Sequence, residues 1–218
     1  KLLENNITGI AYETVTDDAG RLPLLAPMSE VAGVLAIQYG AEYLQKKYNG
    51  RGITLGTITG TPSAHIVVVG GGTSGAHAAR TSAGMGSNVT LLELNDKRIA
   101  ELKTKFAEYK NLEILKSTPE NVKNAVKTAD LLIGAVLVPG NKAPVVVTEE
   151  MVRTMQKGAV IIDIAIDQGG CIWGSKTTSH DHPTFEIDGK IYCCIPNMPG
   201  QVAYQSTKAL TSATITHL

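Results

Sequence analysis

Short aliphatic runs alternate along most of the chain with segments whose apolar positions recur every three or four residues. Runs of the first kind are typical of strands buried on both faces, because β-branched side chains fit a covered pleat. They predict strands at 66–69, 88–92, 112–115, 131–137, 159–163 and 191–195. Segments of the second kind are typical of amphipathic helices. They predict helices at 73–85, 96–109 and 201–216, with further helices beginning at Pro119 and Glu149.

The residues before this alternation follow a different pattern. Residues 7–12 alternate loosely and could form a strand, although no partner strand is evident nearby. A long helix is predicted at 30–47, with Ser29 in the N-cap position, where a hydroxyl can accept a free backbone N–H. Its apolar face is formed by Val34, Ile37, Ala41, Leu44 and Tyr48. This helix could connect the alternating region to another unit.

A glycine-rich turn, Gly70-Gly71-Gly72-Thr73-Ser74-Gly75, links the strand at 66–69 to the next helix. Gly70 permits the sharp turn, Gly72 lets the backbone approach a pyrophosphate, and Gly75 lets the helix pack against the strand. The free N–H groups and the positive dipole at the start of the helix would hold the phosphates. The alternative is a glycine-rich turn that binds nothing.

An acidic residue, Glu93, ends the second strand, about 20 residues after the glycines, where dinucleotide-binding folds place the acceptor for the adenosine ribose hydroxyls. A carboxylate there would repel a 2′-phosphate, which favours NAD over NADP. Lys97 and Arg98 follow closely and weaken this preference.

The order of these elements predicts an α/β fold with one doubly wound parallel sheet, the Rossmann NAD-binding fold, preceded by a long N-terminal connecting helix. Ligands of such folds bind beyond the carboxyl ends of the strands. We therefore expect a shared site formed by the loops that follow Gly70, Glu93, Ala135, Asp163 and Ile195.

Composition narrows the function classes. The 218 residues carry 20 Lys plus Arg and 20 Asp plus Glu, so no basic surplus points to nucleic acid or to an anionic membrane. The absence of a long apolar span or a signal peptide predicts a cytoplasmic protein without membrane partners. Cys171, Cys193 and Cys194 do not suggest a disulfide framework. His180 and His182 are weak metal ligands, so no metal is expected.

Four longer motifs together resemble the NAD-dependent L-alanine dehydrogenase family. They are LLAPMSEVAG at 24–33, GAVLVPG at 134–140 with Ala143-Pro144, DIAIDQGGC at 163–171, and NMPG at 197–200. The family's reaction is the reversible oxidative deamination of L-alanine to pyruvate and ammonium, with hydride transfer to NAD. The NAD-binding subunit of proton-translocating transhydrogenase is a cousin that matches less well at 163–171. A non-catalytic NAD(H)-binding module is a third hypothesis.

The resemblance implies roles for individual residues. Asp167 is the catalytic candidate, placed in the family beside the nicotinamide ribose and the substrate. The pyrophosphate would be held by Gly70, Gly72, Thr73, Ser74 and Gly75, and the adenosine end by Glu93, Lys97 or Arg98, and Ser117. Ser29 would contact the cofactor from the long helix. The nicotinamide side would be formed by Val136, Leu137, Ile164, Ala165, Ile166, Asp167, Ile195, Pro196, Asn197 and Met198.

The resemblance also implies a division of the chain. Residues 1–27 would be a remnant of a substrate domain, 28–200 the NAD-binding domain with its connecting helix, and 201–218 the start of a return helix. The family's catalytic Lys and His and its substrate-binding Arg lie in a preceding domain, so we expect this chain alone to bind NAD without turning over alanine. The family forms hexamers, which implies a homo-oligomer.

Overall fold

A computed structural model describes residues 1–138 and 141–217. Pro139 and Gly140 of the second motif, and Leu218 of the last predicted segment, lie outside the described residues. The described residues form a seven-stranded sheet in the order β3-β2-β1-β4-β5-β7-β6. Its strands are β1 His65–Val69, β2 Asn88–Glu93, β3 Leu112–Lys116, β4 Leu131–Gly134, β5 Val160–Asp163, β6 Phe185–Ile187 and β7 Lys190–Cys193.

Six strands run parallel, and helices cover both faces, which confirms the predicted doubly wound fold. The helices are α1 Ala26–Tyr43, α2 Thr73–Gly84, α3 Asp96–Lys105, α4 Pro119–Lys127, α5 Glu149–Thr154 and α6 Ala203–Thr214. Successive residues of β1 enter opposite cores, because side chains alternate across a strand. Ile66 and Val68 pack with α1, α2 and α3, and Val67 and Val69 pack with α4 and α5.

The seventh strand was not predicted. β6 pairs antiparallel with β7 across a turn in which Asp188 and Gly189 have φ of +49° and +75°. A pair of positive φ angles suits a two-residue hairpin, and the Asp-Gly dipeptide is its usual signature. That signal was present in the sequence and could have identified the hairpin. β7 also ends at Cys193, two residues before the predicted limit.

Several predictions about the other elements were wrong. The strand predicted at 131–137 ends at Gly134, and the helix predicted at 30–47 ends at Tyr43. Residues 7–11 form no strand, and Tyr12–Thr14 is a 3-10 turn. An isolated strand would leave its backbone groups without a partner, so this is expected where no second strand pairs with it. α1 begins at Ala26 rather than after Ser29, because Pro27 fits the first helical turn, where its missing N–H costs nothing. α3 ends at Lys105, four residues earlier than predicted.

Within the described ranges, no helix combines the length and the apolar character needed to cross a membrane.

A buried ion pair closes the amino end of the sheet. Asp130, just before β4, is 7% exposed, and its carboxylate accepts hydrogen bonds from the guanidinium of Arg51 and from the backbone N–H of His65, the latter at 2.8 Å. The backbone of Arg51 is also fixed, since its N–H donates to the oxygen of Gly158 at 3.1 Å. This pair therefore fastens the segment after α1 to the sheet.

Asp130→Ala should lower the free energy of unfolding by about 2–3 kcal/mol, because it leaves a half-buried guanidinium and a backbone donor without their acceptor. Urea denaturation followed by circular dichroism measures the change. Glu113→Ala, at an exposed position of strand β3, is the matched control, with a change within about 0.5 kcal/mol. A similar small change for Asp130→Ala would contradict this role of the pair.

Candidate functional site

The loops predicted to meet do so at one edge of the sheet. β1, β2, β4, β5 and β7 are neighbours or near neighbours and run parallel, so their carboxyl ends lie along the same edge. The loops leaving this edge carry the glycine turn, Glu93, Val136 and Leu137, the 3-10 turn Ile164–Gln168, and residues 195–197. The site predicted from the sequence is therefore assembled from five segments far apart in the chain.

The glycine turn has the geometry expected of its first and last glycines. Gly70 has a φ of +104°, and a Cβ there would lie 2.5 Å from the oxygen of Ala135, just after β4. A Cβ on Gly75 would lie 1.8 Å from the oxygen of Gly70. A side chain at either position would force α2 and the neighbouring β4 loop away from β1. Both glycines are thus required by close packing.

Gly72 differs from its neighbours, because a Cβ there would meet no atom within 4 Å. Its φ of −65° is ordinary for any residue, so the fold itself does not need a glycine at this position. Gly72 precedes Thr73, the first residue of α2, and it is exposed. The open space therefore lies directly in front of the free N–H groups of a helix, where an anionic group can bind.

Gly71, which sequence reasoning passed over, joins the glycine turn to Glu93. Its N–H donates to Oε2 of Glu93 at 2.8 Å, and its oxygen accepts from Nε of Arg98 at 2.9 Å. The other carboxylate oxygen of Glu93 accepts from the N–H of Asn95 at 2.8 Å. A Cβ on Gly71 would lie 2.8 Å from Glu93. The three consecutive glycines were the available signal for this close approach.

The other residues predicted at the adenosine end of the cofactor differ in exposure and in what they contact. Arg98 is half-buried against the glycine turn, whereas Lys97 is exposed. Ser117 follows β3, and its N–H donates to the backbone oxygen of Glu93 at 2.8 Å. The structure thus brings Arg98 to the glycine turn itself and Ser117 to Glu93.

α1 packs unusually closely on α2. A Cβ on Gly33 would lie 2.2 Å from the oxygen of Ser74, in the first turn of α2. Ser29 is half-buried one turn earlier on α1. Glu30 lies 3.8 Å from His77, measured from Oε1 to Nε2. Burial lowers the pKa of His77, and the Glu30 carboxylate acts in the opposite direction. These contacts fix α1 beside the start of the glycine-turn helix.

Asp163, at the end of β5, is fully buried and surrounded by donors. It accepts hydrogen bonds from the backbone N–H groups of Ala165, Cys171 and Ile172 at 3.1, 2.8 and 3.1 Å, and from the hydroxyl of Ser175 at 2.7 Å. The Cys171 thiol lies 3.5 Å from the same carboxylate. Burial raises the pKa of Asp163, while these donors lower it. Asp163 therefore organises the loop, as suggested by its position at a strand end.

Asp167 lies in the loop that Asp163 organises and is exposed. Partial desolvation by neighbouring groups raises the pKa of its carboxyl, and the backbone N–H of Asn197 acts in the opposite direction. Asn197 has a φ of +53°, a left-handed conformation that asparagine tolerates better than most residues. The loops after β5 and β7 thus meet at Asp167. A carboxyl group with a raised pKa, open to solvent, is suited to binding a polar ligand or to proton transfer.

The other residues predicted on this side vary in exposure. Ala165, Ile166, Ile195 and Met198 are buried, Ile164, Val136 and Pro196 are half-buried, and Leu137 is 50% exposed. The buried residues of this set pack inside the loops, and the exposed ones are accessible to a ligand.

The cysteines and the histidine pair show no sign of reactive or metal-binding chemistry in the described residues. Burial raises the pKa of Cys193 to about 12 and that of Cys194 to about 11, and it also raises the pKa of Cys171. His180 and His182 are exposed in a loop. In the part of the chain that the structure describes, no group of three or more His, Cys, Asp or Glu side chains could hold a metal ion.

Comparison with known sequences adds to this geometry. The family model for the alanine dehydrogenase/PNT C-terminal domain matches residues 36–218. The chain is 49% identical over 217 residues to the alanine dehydrogenase of Mycolicibacterium smegmatis, covering 100% of this chain and 58% of the relative. It is 50% identical over 215 residues to that of Methanococcus maripaludis, covering 98% and 57%. The chain therefore spans under three fifths of the length of these curated relatives.

Solved structures show the same fold. A structure named L-alanine dehydrogenase matches with a TM-score of 0.93 and 42% identity, covering 99% of this chain and 59% of its own. A transhydrogenase from Sinorhizobium meliloti matches with a TM-score of 0.83 at 22% identity, covering 100% and 62%. At that identity, the second match shows the fold alone.

Proposed function

Because the chain belongs to the alanine dehydrogenase/PNT C-terminal domain family, we propose that it is the NAD(H)-binding part of an L-alanine dehydrogenase. The observation that carries the proposal is the glycine turn. Gly70 and Gly75 are required by packing, whereas Gly72 faces open space in front of the α2 N-terminus. A glycine that the fold does not need, at that position, is explained by a pyrophosphate that approaches the backbone there.

The residues at the sheet edge divide into three groups along the proposed cofactor. The pyrophosphate group is Gly70, Gly72, Thr73, Ser74 and Gly75, whose backbone N–H groups would donate to the phosphate oxygens. The adenosine group is Glu93, Lys97, Arg98 and Ser117. The nicotinamide group is Val136, Leu137, Ile164 to Asp167, and Ile195 to Met198. Ser29 would reach the cofactor from α1, whose close packing against α2 supports this placement.

The protein's part in the reaction is to orient the cofactor and the substrate and to place charged groups beside them. When bound, NAD would supply the hydride acceptor for Cα of L-alanine, and the overall reaction with water would give pyruvate, ammonium and NADH. The carboxylate of Glu93 would accept hydrogen bonds from the adenosine ribose hydroxyls while its Oε2 continues to hold Gly71. Asp167, whose pKa is raised by partial desolvation, is the proposed catalytic carboxyl group beside the nicotinamide ribose and the substrate.

The proposal extends to the organisation of the enzyme. Residues 1–27 belong to the substrate domain, 28–200 to the NAD-binding domain, and 201–218 to the return helix. Catalytic Lys and His residues and a substrate-binding Arg would come from the part of the enzyme that the relatives have in addition. The complete enzyme would act on L-alanine in the cytoplasm as a homo-oligomer.

Calorimetric titration of the chain with NADH and, separately, with NADPH tests the proposal. We expect NADH to bind at least about tenfold more tightly, because Glu93 would repel a 2′-phosphate at close range. Glu93→Ser should reduce this preference. Binding of neither nucleotide would contradict the proposal, and equal binding of both would contradict the role of Glu93.

Alanine dehydrogenase is favoured over the other two hypotheses. The transhydrogenase structure is 22% identical, against 42% for the L-alanine dehydrogenase structure, and a match at the lower value supports the fold alone. A non-catalytic NAD(H)-binding module would bind cofactor equally well. It would be distinguished by the lack of alanine-dependent NADH formation in a protein with the full length of the curated relatives.

A further inference from the structure

Two loops at the carboxyl edge of the sheet are joined through a single residue, Gln168. The N–H of Val138, in the loop after β4, donates to Oε1 of Gln168 at 3.3 Å. The N–H of Ala143, further along the same loop, donates to the backbone oxygen of Gln168 at 2.9 Å. One residue of the 3-10 turn Ile164–Gln168 thus holds the loop after β4 at two points.

The contact continues beyond Gln168. The side chain of Lys142 lies over Gly169, so that a Cβ on this glycine would be 2.8 Å from Cε of the lysine. The N–H of Val146 donates to the oxygen of Cys171 at 2.8 Å, and the N–H of Trp173 donates to the oxygen of Val147 at the same distance. Residues 142–147 therefore lie beside residues 169–173, and Val138 and Ala143 lie beside Gln168.

The position of this contact relates it to the proposed cofactor. Val138 directly follows Val136 and Leu137, and Gln168 directly follows Asp167. Each loop thus presents its proposed nicotinamide-side residues immediately beside the hydrogen bond that joins the loops. The hydrogen bond of the half-buried Gln168 thus contributes to the spacing between these two sets of residues.

We propose that Gln168 is a positioning residue for the nicotinamide end of the cofactor, an inference that rests on the proposed NAD(H)-binding function. Its side-chain oxygen holds Val138, so that Val136 and Leu137 stay opposite Asp167. The adenosine end does not depend on Gln168, because Glu93 and Arg98 hold Gly71 through separate hydrogen bonds. Loss of the side-chain bond should therefore weaken one end of the site only.

Gln168→Met isolates the side-chain contribution. Methionine has a similar length but lacks a strong acceptor, so the Val138 N–H loses its partner while the backbone bond to Ala143 remains. The loss of one neutral hydrogen bond corresponds to about a three- to tenfold change in affinity. Gln156→Ala is the matched control, because Gln156 is an exposed glutamine in the turn before β5, at the opposite edge of the sheet.

The experiment compares NADH with ADP, which carries only the adenosine and pyrophosphate part of the cofactor. By titration calorimetry, we expect Gln168→Met to bind NADH about three- to tenfold more weakly and ADP unchanged, with Gln156→Ala unchanged for both. Amide hydrogen exchange should show faster exchange at Val138 and unchanged protection at Ala143.

Three results would overturn the inference. An unchanged NADH affinity would show that the bond does not position the nicotinamide end. An equal loss for NADH and ADP would show that Gln168 acts on the whole fold. If the unsubstituted chain bound neither nucleotide, the proposed function would fail, and this role of Gln168 with it. If it bound both, a failure of the inference would leave the proposed function intact.

Discussion

Replacing Gly72 with alanine should abolish tight NADH binding and leave the stability of the fold unchanged. The new Cβ would meet no protein atom within 4 Å, and a φ of −65° suits alanine, so the free energy of unfolding should change by less than about 0.5 kcal/mol. The same methyl group would stand where the pyrophosphate approaches the backbone. We expect at least about a hundredfold weaker binding, or about 2.7 kcal/mol, by calorimetric titration.

Gly75→Ala is the informative comparison for this result. Its Cβ would lie 1.8 Å from the oxygen of Gly70, so α2 could not remain against β1. We expect loss of about 3 kcal/mol of stability or more, together with loss of binding. The two glycines are three residues apart, yet one variant should lose only binding and the other should lose both. Normal NADH affinity in Gly72→Ala would show that no phosphate binds at the turn.

Asp163→Asn should be among the most destabilising isosteric substitutions in the described part of the chain. The carboxylate of Asp163 is approached by donors from Ala165, Cys171, Ile172 and Ser175. An amide presents two N–H groups, so one side of it would face donors without an acceptor in a fully buried position. The expected cost is about 2–4 kcal/mol, measured by urea denaturation.

Ser175→Ala separates the loss of a single hydrogen bond in this loop from the replacement of an acceptor oxygen by a donor N–H. It removes one donor and leaves the carboxylate with its backbone partners, so about 1 kcal/mol is expected. If Asp163→Asn proved no more costly than Ser175→Ala, the amide would have been accommodated, and the carboxylate would not be needed to organise the loop.

The sequence predicted the parts of the fold that depend on local pattern. All six predicted strands start within one residue of the observed first residue, because aliphatic runs that are buried on both faces leave a clear signal. The glycine turn and Glu93 were also predictable, since spacing along one βαβ unit determines where they meet. The loops at the carboxyl edge followed from the parallel topology.

What the sequence did not reveal depends on contacts between distant segments. The hydrogen bonds of Gly71 with Glu93 and Arg98 join residues more than 20 positions apart. The partners of Gln168 described above, Val138 and Ala143, lie in another loop, so nothing in the local sequence distinguishes it from a surface glutamine. The strand predicted at 7–12 failed for a different reason. The sequence does alternate there, but among the described residues no second strand pairs with it. Pairing, rather than pattern, decided each of these cases.

The close crossing at Gly33 couples α1 to the glycine turn. With no space for a side chain between Gly33 and the backbone of Ser74, a shift of the 18-residue helix at this crossing would press on the start of α2. Under the proposed binding of a pyrophosphate at the turn, nucleotide binding and the position of α1 would be linked. Each would then change the other by the same coupling free energy.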